Sequence, residues 1–128
     1  MSLTDAIPNL HEVREVLKKC WKKDTAHPAS LEDGRSCPSR GQCYVTAILI
    51  RDLFGGEIMT GMVGEERHYW NRINDIEIDF TSDQYTGDGY HPLIGIVGKV
   101  SKVKGTSNSR YKKLRRCWDS HEKEAFIW

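Results

Sequence analysis

The chain has 128 residues, of which 38% are hydrophobic and 29% charged, with a formal net charge of +1. That length and composition fit one folding domain over residues 1–128 and exclude a disordered or fibrous chain. The near balance of charge excludes a polyanion-binding field spread over the whole molecule. No run approaches the roughly 18 apolar residues of a membrane helix, and the N-terminus lacks the basic-then-apolar pattern of a secretory signal. A cytoplasmic location is therefore expected, with Cys20, Cys37, Cys43 and Cys117 as four reduced thiols.

In chain order, the first predicted element is a helix over residues 9–23. Leu10, Val13, Val16, Leu17, Cys20 and Trp21 fall on one face of it, and Asn9 with Glu12 suits a capping pair. Residues 24–40 turn to Pro, Ser, Gly and Asp, which marks irregular backbone. Ser39 and Gln42 have capping-box spacing and predict that a helix starts there. It runs apolar nearly all round to Phe54 and stops at Gly55-Gly56, the pattern of a buried central helix. Short strands follow over residues 57–63, 67–73 and 76–81, the last two joined tightly at Asn74-Asp75. A further strand over 91–99 and a helix over 109–124 complete the reading.

Cys43 falls in the first turn of the central helix. Unpaired backbone N–H groups and the positive end of the helix dipole favour an anionic sulfur there, and the same amides can stabilise an oxyanion. If Asn74-Asp75 is a two-residue turn, Arg72 faces Glu77, Trp70 faces Asp79 and His68 faces Thr81. Alternation then sets His68, Trp70, Arg72, Glu77, Asp79 and Thr81 on one face. Tyr69, Asn71, Ile73, Ile76, Ile78 and Phe80 take the other, mainly apolar face. His68 and Asp79 become diagonal neighbours about 7 to 8 Å apart, a gap that an imidazole and a carboxylate span. An Asp in that place fixes the His tautomer and stabilises an imidazolium.

Gly41-Gln42-Cys43-Tyr44-Val45-Thr46-Ala47 resembles the active-site cysteine motif of transglutaminases. His68-Tyr69-Trp70-Asn71 is similar to their histidine strand, and Ile78-Asp79-Phe80-Thr81 to their aspartate strand, in the same chain order. Over residues 39–84 the chain also resembles the small bacterial YunG family. The resemblance implies an α+β, transglutaminase-like (papain-like) core, with a central helix packed on an antiparallel sheet and flanking N- and C-terminal helices. It implies Cys43 as nucleophile, His68 as general base and acid and Asp79 as its orienter, in acyl transfer from an amide-containing protein, peptide or small molecule. The interval from cysteine to histidine is much shorter than in the large eukaryotic enzymes, so their calcium regulation is not expected. No tryptophan lies between Trp21 and Cys43 to serve the oxyanion as one does in those enzymes. Gln42 is one candidate for that task, and Trp70 is a candidate cleft wall.

Two other function classes stay open. Between Lys99 and Arg116 lie eight basic residues and no acidic one. Lys112, Lys113, Arg115 and Arg116, with Tyr111 and Trp118 for stacking, would suit nucleic acid. A non-catalytic binding module of the same fold is the other. A zinc site from Cys37, Cys43 and His27 is disfavoured, because five residues separate the two cysteines and Cys117 has no paired thiol in the sequence. No cofactor, metal or membrane partner is expected.

Overall fold

A computed structural model describes residues 2–28 and 39–125. Among them are the helices α1 (Leu3–Ala6), α2 (Leu10–Cys20), α3 (Cys43–Phe54) and α4 (Ser109–Ala125). The strands are β1 (Glu57–Val63), β2 (Glu66–Ile73), β3 (Ile76–Ile78) and β4 (Val97–Val103). The strands form one antiparallel sheet in the order β3-β2-β1-β4. The protein is thus α+β, as expected.

Helix α3 is the hub. Its Val45, Ala47, Ile48, Leu49 and Ile50 are almost wholly buried. They share one core with Val13 and Leu17 of α2, Leu114 and Trp118 of α4, and Ile58, Ile73 and Ile78 of the sheet. Each such aliphatic side chain contributes about 1.5–3 kcal/mol on leaving water. The helix stops at Gly55, whose φ of 84° is left-handed, where glycine carries no steric penalty. No described helix is long and apolar enough to cross a membrane.

The β2–β3 hairpin has the anticipated two-residue turn. Asn74 and Asp75 both have positive φ, 51° and 65°, and Arg72 pairs with Glu77. The third strand is shorter than expected, ending at Ile78 rather than residue 81. Asp79 Oδ1 accepts bonds from the N–H and the hydroxyl of Thr81, both at 3.1 Å, a local turn that competes with the ladder. The fourth strand begins at Val97 rather than at residue 91. Asp88 holds residues 88–91 in a turn by accepting from the N–H groups of Tyr90 and His91, at 2.9 and 2.8 Å.

Other expectations are also corrected. Helix α1 was unforeseen, and Asn9 gives no side-chain cap to α2. The Ser39–Gln42 capping box is absent: the Ser39 hydroxyl donates to Asp83 Oδ1 at 2.6 Å, and α3 starts at Cys43 with Gln42 as its N-cap residue. Four reduced thiols were expected, yet Cys20 and Cys117 form a disulfide, with Cα atoms 5.6 Å apart and a sequence separation of 97. The two meet because α2 and α4 pack against each other, a proximity no local spacing reveals. Cys43 is a free thiol, and Cys37 lies outside the described residues.

Candidate active site

Three segments distant in sequence supply the site. Cys43 is the first residue of α3 and half-buried. His68 lies in β2 and is fully buried. Asp79, 1% exposed, follows β3 directly and is held by the turn to Thr81 and by its own N–H donating to the Tyr90 carbonyl at 2.8 Å. The Oδ2 atom of Asp79 stands 2.6 Å from His68 Nε2. The other ring nitrogen, Nδ1, lies 3.4 Å from Gln84 Nε2, and Cys43 is near enough to act on the same ring.

These contacts decide the charge of the ring. Burial by itself pushes His68 down, because an imidazolium loses its hydration. The hydrogen bond and negative charge of Asp79, joined by those of Cys43, outweigh burial and lift His68 from 6.5 to about 10. A proton therefore stays on His68 at neutral pH, between a carboxylate and a sulfur.

The surroundings fix the ring in place. Trp70 is stacked on His68 with centroids 6.0 Å apart and planes at 19°, and the Tyr85 ring meets it edge-on at 5.5 Å. Gly61, opposite His68 in β1, leaves room for this. A Cβ there would stand 3.2 Å from the Trp70 ring and 2.7 Å from Ile96. Trp70 donates from Nε1 to Glu77 at 2.9 Å and backs the imidazole instead of walling a cleft. Gln42 is buried, its Oε1 accepting from Thr25 at 2.8 Å and its Nε2 donating to the Lys22 carbonyl at 3.0 Å. It anchors the loop before α3 and does not line the cavity beside Cys43.

That cavity, about 330 Å³, opens next to the Cys43 sulfur and is lined by His27, Arg40, Glu66, Tyr69, Gln84 and Tyr85 among others. Gln84 and Tyr85 were missed in the sequence reading. The available signal was their position a few residues after Asp79, in the turn over Ser82–Gln84. Gln84 accepts from the Gly41 N–H through Oε1 at 3.1 Å, and its Nε2 lies 3.4 Å from His68 Nδ1. Arg14 clamps the same turn, donating to the Phe80 carbonyl at 2.9 Å and to Asp83 at 2.6 Å. Through Asp83 and Gln84, the loop carrying Asp79 is thus tied to the loop entering Cys43. Tyr85 donates to Glu66 at 2.7 Å, and burial together with that carboxylate raises its phenol, which stays protonated.

The basic segment is built differently. Tyr111 and Trp118 point into the core, 7% and 0% exposed, so neither is an exposed stacking platform. Lys113 pairs with Asp24 and Arg115 with Asp119.

The fold and this site define a small α+β protein with a buried histidine shared by a cysteine at a helix start and an aspartate after a hairpin strand. The profile of the family described as "YunG protein" matches residues 9–123, and the chain belongs to that family. It is similar to "Uncharacterized protein YunG" of Bacillus subtilis (strain 168), with 33% identity over 112 residues, covering 88% of this chain and 93% of that protein. No solved structure matches it.

Proposed function

We propose that the protein is a thiol-dependent acyl-transfer enzyme, with a transglutaminase-like core, that acts on an amide bond through Cys43, His68 and Asp79. The observation that carries this reading is the 2.6 Å contact of Asp79 with His68, whose ring also feels Cys43 at the lining of an open cavity. Its motifs resemble those of transglutaminases, in the same chain order.

In this mechanism the Cys43 sulfur attacks the amide carbonyl carbon, a carbon–sulfur bond forms, and the carbonyl oxygen takes the negative charge. Backbone N–H groups at the start of α3 face that charge, and the Gln84 amide supplies a second donor. His68 then gives its proton to the leaving nitrogen, the carbon–nitrogen bond breaks, and ammonia or an amine departs. Water or a second amine attacks the thioester while His68 takes its proton, and Cys43 is released. Asp79 holds the ring and stabilises its charged form throughout.

Alkylation by iodoacetamide at mildly acidic pH, mapped by peptide mass spectrometry, tests this. Cys43 reacts ahead of Cys37, and His68→Ala slows Cys43 roughly tenfold or more, because the anionic sulfur is the nucleophile. Equal reaction of Cys43 and Cys37, unchanged in His68→Ala, overturns the proposal.

A further inference from the structure

Outside the set formed by Cys43, His68 and Asp79, α2 and α4 bring together another group of reactive side chains. Among the described residues, one group of three or more His, Cys, Asp or Glu side chains places its ligand atoms within 4.8 Å of one another: Cys20, Cys117 and His121. Cys117 and His121 are four apart on α4, so one helical turn stacks them on the same face. Cys20, the last residue of α2, is 1% exposed and comes to them from across the helix pair.

We propose that, once the Cys20–Cys117 disulfide is reduced, these three side chains bind a thiophilic divalent cation, zinc above all. In the oxidised protein the sulfurs are bonded to each other. An external dithiol supplies two electrons and two protons, the sulfur–sulfur bond breaks, and the dithiol becomes a disulfide. The cation then replaces the two thiol protons, and an imidazole nitrogen of His121 completes three ligands.

Zinc bonds of about 2.3 Å to sulfur and about 2.0–2.1 Å to nitrogen, in tetrahedral geometry, set neighbouring ligand atoms roughly 3.5–3.8 Å apart. The three atoms already lie within 4.8 Å, so the sulfurs have only to part without the helices moving far. A cavity of about 390 Å³ beside both cysteines gives water a route to the fourth position. Its rim includes Lys22, Lys113 and Arg116 with Asp24 as the one carboxylate. Such a rim offers a hard, oxygen-seeking cation few ligands, whereas two thiolates cancel the charge of a divalent ion and suit a soft one.

The test uses the full chain with Cys37→Ser and Cys43→Ser, which removes the other thiols, and cobalt(II) as the spectroscopic stand-in for zinc. After reduction with a phosphine, which offers no competing thiolate, one cobalt binds per chain. It gives an intense near-ultraviolet thiolate band and tetrahedral visible bands, displaced by zinc. The unreduced protein gives neither band. His121→Ala keeps both sulfurs, and circular dichroism checks that it stays folded. It alters the visible bands and weakens cobalt binding at least tenfold. Absence of the thiolate band in the reduced, folded protein, or a cobalt spectrum indifferent to His121→Ala, overturns the proposal.

Discussion

The body and the start of α3 are buried in opposite ways. Along its length it meets Val13 and Leu17 of α2 and Leu114 and Trp118 of α4, an apolar contact sealed by the Cys20–Cys117 disulfide. At its start lies a buried polar set, Ser39, Gln42, His68, Asp79, Thr81, Ser82 and Gln84, each at most 3% exposed. The apolar region gains free energy simply by leaving water. The polar region loses hydration and recovers it only through short, specific bonds such as Arg14–Asp83, Ser39–Asp83 and His68–Asp79, each 2.6 Å. The free thiol of Cys43 and the open cavity lie beside this second arrangement.

Substitutions separate the two. Trp118→Ala empties the apolar region and costs about 3–5 kcal/mol in urea denaturation, the largest effect expected. It leaves the alkylation advantage of Cys43 intact in the folded molecules. Reducing the disulfide costs about 2–5 kcal/mol, because it closes a loop spanning 97 residues, and a Cys20→Ser, Cys117→Ser variant no longer responds to reductant. Gly61→Ala has the smallest cost, about 1–3 kcal/mol, since Trp70 and Ile96 must give way. Yet by disturbing the ring stacked on His68 it slows Cys43 alkylation, which Trp118→Ala does not. Should the two variants change that rate alike, the separation fails.

What the sequence disclosed follows the range of the forces involved. The stop at Gly55 and the two-residue turn at Asn74-Asp75 depend on the backbone freedom of adjacent residues, so both were legible. The turn sets the register, and the register brings His68 within reach of Asp79. The start of α3 was misread because Ser39 bonds Asp83, 44 residues away, rather than a neighbouring amide. Gln42 suffers the same reversal, held by Thr25 and Lys22. The displaced start of β4 traces to Asp88, whose carboxylate takes the N–H groups a strand would have used. Cys20 with Cys117, and Gln84 with Gly41, meet only through packing of whole elements, which no spacing encodes.

The charge on His68 is the most direct test of the account. Because its folded value is raised, the pair with Asp79 contributes stability that is fully present below 6.5 and lost as pH climbs through about 10. Nitrogen-15 NMR of the imidazole across that range reads the proton itself. The account predicts both ring nitrogens protonated at pH 8, with a midpoint far above 6.5 that falls in Cys43→Ser and falls further in Asp79→Asn. A neutral ring at pH 8, with a midpoint at or below 6.5, would contradict it.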